Sequence, residues 1–129
     1  MSPRWTDYLY IVATIALTVF GQMVLKWRMD QVGPMPAGAW PSLRFLLMLL
    51  IDPLVIASFV SAFIAGLAWM AAMTRFELSY AYPFTSLNFV VVLVLSVWLL
   101  GESLTVSKVI GVTMIVVGTL IASASVRAG

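Results

Sequence analysis

Thr14, Thr18, Gln22 and Lys26 recur every four residues within one long apolar run. On an α-helix that spacing draws a polar stripe that drifts slowly round one face. Turned to hydrocarbon, such a stripe is costly, so it faces the bundle interior or a wet cavity. Threonine hydroxyls can bond back to their own helix. Gln22 and Lys26 cannot hide so easily, although a lysine near a span end also snorkels to the interface, and both readings of Lys26 stand. A second stripe, Tyr82, Thr85, Asn88, Val92 and Ser96, shares one face of a later run. Asn88 lies about two turns into that run, where an amide needs either a neighbouring helix or a bound ligand.

No acid accompanies these stripes. Asp7, Asp30, Asp52, Glu77 and Glu102 all fall at the edges of the apolar runs or between them. A proton-coupled exporter of cations uses a buried carboxylate to neutralise its substrate and carry the proton. The charges nearest the interior are instead basic: Lys26, then Arg28 and Arg75. A basic site suits an anion such as phosphate, while Arg28 and Arg75 read equally well as ordinary loop charges. The absence of His and Cys rules out the usual zinc, haem and iron–sulfur sites and the Ser-His-Asp and Cys-His nucleophiles. No cofactor is called for. Seven bases do not build a nucleic-acid surface.

The elements that must hold these residues follow from composition. Of 129 residues 63 % are hydrophobic and 9 % charged, against roughly 45–50 % and about 25 % in a soluble domain. A small all-α integral membrane protein remains, read as one domain over residues 1–129. Four runs are long enough to cross a bilayer: about 8–27, 54–73, 81–100 and 106–126. They are continuously apolar, which excludes the alternation of a membrane barrel. The first is too long for the core of a signal peptide, and no A-x-A-type cleavage site follows it, so it is expected to be a mature helix. Between the first two runs, Gly33-Pro34-Met35-Pro36-Ala37-Gly38 breaks the chain. Leu43 to Ile51 then reads as a short interfacial helix closed by Asp52-Pro53; the alternative is one long, kinked second helix starting near Ser42. Trp5, Trp27, Trp40 and Trp98 fall near span ends, where indoles anchor. Lys and Arg divide three against four between the two sides, too evenly to orient the chain.

Four such helices enclose little space, which predicts a dimer. Ser107, Gly111, Gly118, Ala122 and Ser125 fall on one face of the fourth run, and small residues let helices approach closely. That face serves either a subunit contact, with Gly111, Gly118 and Ser125 at its centre, or packing within the chain. A similar row, Ser58, Ala62 and Gly66, is expected to pack within the chain.

Gly21-Gln22-Met23-Val24-Leu25-Lys26 resembles the end of helix one in the drug/metabolite transporter superfamily. Leu78 to Val90 resembles the opening of helix three in its EamA-like and small multidrug resistance branch. Gly101-Glu102, Gly111 and Gly118 continue the likeness through helix four, so that it covers the chain except for residues 29–45. Small multidrug exporters carry a Glu four residues before the glycine of helix one. Here that register falls at Leu17 or Thr18, neither of them acidic. The sequence is more similar to the family of aminoarabinose-phosphoundecaprenol flippase subunits, which share G-Q-x-x-x-K (Gly21 to Lys26) and A-Y-P-x-x-S-L-N-F-V (Ala81 to Val90).

That resemblance implies a transporter without covalent chemistry in the bacterial inner membrane. It would move a polyprenyl-phosphate-linked aminosugar toward the periplasmic leaflet for lipid A modification, as a homodimer or beside a related four-helix subunit. On this reading Lys26 holds the phosphate with Arg28 or Arg75. Gln22, Tyr82 and Asn88 bond the sugar, in a polar cavity with Thr18 and Thr85. Glu77 or Glu102 meets the amino group, unless Glu102 caps helix four. The tail stays in the surrounding membrane lipid. An exporter of small cations or metabolites and a non-transporting scaffold subunit are the alternatives.

Overall fold

The computed structural model describes residues 4–128, with residues 125–128 described by their helical backbone alone. In hydrocarbon every backbone polar group must be satisfied within its own segment, so the apolar runs become helices. A 3-10 turn, Trp5–Asp7, leads into α1, Tyr8–Val32; α2 is Ala39–Leu49 and α3 Pro53–Met73. Then come the short α4, Leu78–Ala81, a 3-10 segment, Tyr82–Ser86, α5, Leu87–Leu99, and α6, Val106–Ala128. Four stretches are long and apolar enough to span a membrane: Trp5–Val32, Pro53–Met73, Leu78–Leu99 and Val106–Ala124.

The helix boundaries differ from the sequence expectation in instructive ways. α1 does not stop at Trp27. It carries its charged turn, Lys26 to Asp30, out to Val32 and ends where Gly33 turns left-handed at φ 96°, a conformation glycine reaches without strain. The short helix is Ala39–Leu49, beginning earlier than Leu43. The single kinked second helix does not form, because Asp52 stops the chain and starts α3. The Asp52 carboxylate accepts from the backbone N–H of Leu54 at 2.9 Å and of Val55 at 3.4 Å, with Pro53 in the first turn. Span three already begins at Leu78, ahead of the expected 81, and Pro83 lies inside it, within the 3-10 segment.

The tightest helix pairing is α1 with α3. Gly21 approaches so closely that a Cβ there would stand 2.9 Å from the Ser58 carbonyl oxygen. Ser61 Oγ donates across the contact to the Leu17 carbonyl at 2.6 Å. The buried face of α3 is Val55, Ser58, Ser61, Ala65 and Ala72. Of the expected row only Ser58 belongs to it: Ala62 and Gly66 are exposed, because the stripe that meets α1 runs through Ser61 and Ala65 instead. At the Arg75 end, Ile11, Ala72, Phe76, Tyr80 and Ala81 form the core, flanked by Tyr8 and Phe84. Tyr8 meets Phe76 edge-on at 4.8 Å, and its hydroxyl lies 2.9 Å from that of Tyr80. Spans three and four bury far less of themselves than one and two.

Candidate functional site

The polar stripe of α1 does not form one continuous seam. Thr14 is buried and returns its hydroxyl to the Tyr10 carbonyl at 2.8 Å. Thr18 and Gln22 line a small groove against α3 with Gly21, Leu25, Ser58, Phe59 and Ala62. The groove holds about 80 Å³, enough for a few waters and too little for a sugar ring. Gln22 itself is exposed. One turn further, Lys26 Nζ pairs with Asp30 Oδ1 at 2.9 Å, both side chains half-exposed. The Glu102 carboxylate acts on the same ammonium. Lys26 thus stands at the aqueous end of α1, and its bond to Asp30 is an exposed i,i+4 pair of the weakly held kind.

Arg28 and Arg75 serve structural ties. Arg28 Nη2 lies 2.7 Å and Nε 2.8 Å from Asp52 Oδ2, and Nη1 donates to Gln31 at 3.1 Å. One carboxylate therefore caps α3 and clamps it to the end of α1. The guanidinium beside it, with the two backbone N–H groups, holds the Asp52 carboxyl below its ordinary value against the opposing effect of burial. Arg75 sits at the opposite end of the molecule, 3.7 Å from Asp7; Asp7 is buried and also accepts from the Arg4 backbone N–H at 2.8 Å. Since α1 separates Asp7 from Lys26, Arg75 cannot share one phosphate with Lys26 in this conformation.

The second stripe is likewise divided. Tyr82 is exposed and touches Trp69 edge-on at 6.2 Å. Thr85 returns its hydroxyl to the Tyr82 carbonyl at 2.6 Å. Ser96 is buried and bonds back to Val92. Asn88 Oδ1 is buried and has no hydrogen-bond partner among the described residues. Gln22 does not meet it. The residues of α1 that face α5 are Ala16, Val19, Phe20 and Met23, opposite Val91, Leu95 and Leu99, an apolar contact throughout. Glu77 precedes α4 and makes no side-chain cap, and Glu102 does not enter α6, whose first turn is held by Thr105. On α6, no atom of the described residues beyond the helix's own backbone lies within 4 Å of the position a Cβ would take at Gly111 or Gly118. The side chain of Ser125 lies outside the described residues.

Sequence reasoning passed over Ser61 and Thr119. Ser86 donates to the Pro83 carbonyl at 2.6 Å and meets the Thr119 hydroxyl, which also lies 3.2 Å from Pro83 O and 2.9 Å from Ile115 O. This polar knot fastens the 3-10 segment of span three to α6. Its signal was a proline inside a span with a serine three residues on, together with a threonine beside Gly118.

Residues 5–124 match the EamA-like transporter family. Among curated relatives, the chain is 32 % identical over 123 residues to "Probable 4-amino-4-deoxy-L-arabinose-phosphoundecaprenol flippase subunit ArnF" of Aeromonas salmonicida, covering 92 % of this chain and 80 % of that one. It is 33 % identical over 115 residues to the protein named in the same words as subunit ArnE of Aeromonas hydrophila, covering 89 % and 95 %. A subunit ArnF of Enterobacter sp. strain 638 is 34 % identical over 119 residues, covering 88 % and 91 %. No solved structure matches. With four membrane-long apolar helices and a match that takes in all of them, the chain belongs to the EamA-like family of multi-pass membrane transporters.

Proposed function

We propose that this chain is one subunit of a flippase that carries a polyprenyl-phosphate-linked aminosugar across the bacterial inner membrane. One geometric observation carries the reading: a small acid-free groove between α1 and α3 that carries Thr18, Gln22 and Ser58, with the exposed cation Lys26 one turn beyond Gln22. The relatives' names supply the ligand. A phosphate replaces Asp30 on Lys26, with Arg28 a further donor once its bond to Asp52 opens. Sugar hydroxyls bond Gln22 and Thr18 at the Lys26 end, and Tyr82, Thr85 and the vacant acceptor of Asn88 take them up as the head group passes toward the other leaflet. The displaced Asp30 and the nearby Glu102 leave negative charge for the amino group, and Glu77 meets it at the other leaflet, where Arg75 takes over the phosphate. Alternating access by rocking of the helices exposes each leaflet in turn.

The groove's small volume is the reason for a second chain. A related four-helix subunit, or a second copy, seated against the open faces of spans three and four and the small face of α6 completes the cavity. An exporter of small cations would need a carboxylate deep within a span, and the acids inside the four spans, Asp7 and Asp30, lie at the two ends of the first.

The test is reconstitution in liposomes with the co-purified partner chain. A lipid-linked aminosugar is followed by the accessibility of its amine to an impermeant reagent. Wild type is expected to move it, and Lys26→Ala to lose head-group binding while the assembly stays intact. Unchanged affinity in that variant removes Lys26 from the site. Absence of flipping by the wild-type assembly removes the function.

A further inference from the structure

Beside the polar groove, α1 and α5 part to leave an apolar crevice. Toward the Lys26 end it holds about 350 Å³ lined by Phe20, Met23, Trp27 and Leu99. Deeper, a continuation of about 340 Å³ runs on past Leu95 to Ala16 and Val91. The twelve residues from Ala16 to Trp27 rise about 16 Å along α1, close to half of the ~30 Å hydrocarbon core. Asn88 lies one turn beyond Val91 on the same face of α5. Beyond it Tyr8, Phe76, Tyr80 and Phe84 fill the space between spans one and three. The crevice is therefore one leaflet deep and approached from the Lys26 end.

Lys26 lines neither groove but adjoins a residue of each, Leu25 in the polar groove and Trp27 in the crevice. Its neighbours one turn back are Gln22, which lines the polar groove, and Met23, which lines the crevice. The order apolar crevice, cation, polar groove matches the order tail, phosphate, sugar in a single-tailed lipid-linked sugar. We propose that the α1–α5 crevice is the seat of the polyprenyl tail, which lies along the protein through one leaflet instead of loose in the surrounding lipid. This rests on the function proposed above. A tail in the crevice gains no hydrophobic free energy over one among acyl chains. Occupancy is selected by the phosphate on Lys26, and the crevice sets where the tail runs once the phosphate is held.

The experiment uses the full assembly in liposomes of phosphatidylethanolamine and phosphatidylglycerol, with a polyprenyl monophosphate bearing a diazirine on its second isoprene unit. Adducts are mapped by mass spectrometry. They are expected within residues 16–27 and 91–100, competed by unlabelled polyprenyl phosphate and not by added phosphatidylglycerol. Ala16→Trp, which fills the deep end, and Lys26→Ala, which removes the anchor, should each cut these adducts about tenfold, equivalent to ~1.4 kcal/mol. Lys26→Ala keeps the test open if the bulky variant fails to fold. Adducts spread evenly onto the outward face of α3 around Phe63 overturn the proposal, as does equal competition by phosphatidylglycerol, which would make the occupant ordinary membrane lipid. If the wild type flips the aminosugar lipid while the crevice stays unlabelled, the tail seat falls and the function stands. If the crevice is labelled selectively but nothing is flipped, the seat stands and the function falls.

Discussion

Gly21 leaves the Ser58 carbonyl no room for a methyl group, and a backbone oxygen cannot rotate away. Gly21→Ala is expected to push α1 off α3 at a cost of about 1–3 kcal/mol, read as a fall in the thermal midpoint in detergent. An unchanged midpoint would mean that the helices slide without penalty. Asp52 acts by charge. Its carboxyl is held below the ordinary aspartate value by Arg28 and two backbone N–H groups, so the fold favours the ionised form. That contribution is fully present above the ordinary value and is lost as the pH falls through the depressed one. Asp52→Asn should lower stability at neutral pH and remove this acid-sensitive component, as followed by unfolding across an acid titration. Asn88 is the reverse case. With Oδ1 unpartnered, replacing the amide by a similar-sized apolar group removes a desolvated acceptor. Asn88→Leu should leave the isolated chain as stable or more so while impairing transport; a clear loss of stability would show that the amide already bonds within the fold. Asn88 was legible in the sequence as an amide inside a span. Its lack of a partner was not, because that depends on what each neighbouring helix presents.

At the scale of elements, the spans were readable because a bilayer imposes a length and an apolar composition, and both are properties of the sequence. Which face meets which neighbour was less so. A helix that is apolar all round carries no amphipathic pattern to point it, so the row expected to pack, Ser58, Ala62 and Gly66, is not the one that does, Ser58, Ser61 and Ala65. Only the close approach at Gly21 decides between them. The α1 stripe misled for a related reason. Spacing of four drifts round the helix, so Thr14 ends in the packed interior, Thr18 and Gln22 against α3, and Lys26 in the open beside Asp30. The knot at Pro83 shows what short polar residues do in such a setting. Pro83 cannot donate within its helix, and Ser86 and Thr119 gather at its carbonyl, tying the 3-10 segment to α6. Thr119→Val and Ser86→Ala should each cost about 0.5–1.5 kcal/mol. Because the two hydroxyls bond each other, each single change already breaks that bond, and the double variant should cost less than the two single ones added together. Strict additivity in that cycle would show that the hydroxyls act independently.

At the scale of the whole molecule, burial is uneven in a way that bears on assembly. Spans one and two hold each other through a glycine and two serines, and an aromatic cluster ties span one to the start of span three. Spans three and four turn large apolar side chains outward, among them Phe89, Val94, Trp98, Met114 and Leu120. In lipid those side chains gain nothing by being covered as such, so the second chain proposed above would be held by close packing, for which Gly111 and Gly118 on α6 leave room. A Cβ at either position would meet nothing beyond its own helix among the described residues. Gly111→Leu and Gly118→Leu should therefore leave the single chain's thermal stability within about 0.5 kcal/mol, the usual range for a surface change, while breaking its association with the second chain. Crosslinking in membranes, or mass measurement of the detergent-solubilised assembly, reads the second effect, and a thermal melt of the dissociated chain the first. Loss of both together would place the two glycines in packing that this chain completes alone. Loss of association alone would make this face of α6 the seam along which two small chains close one transport pathway.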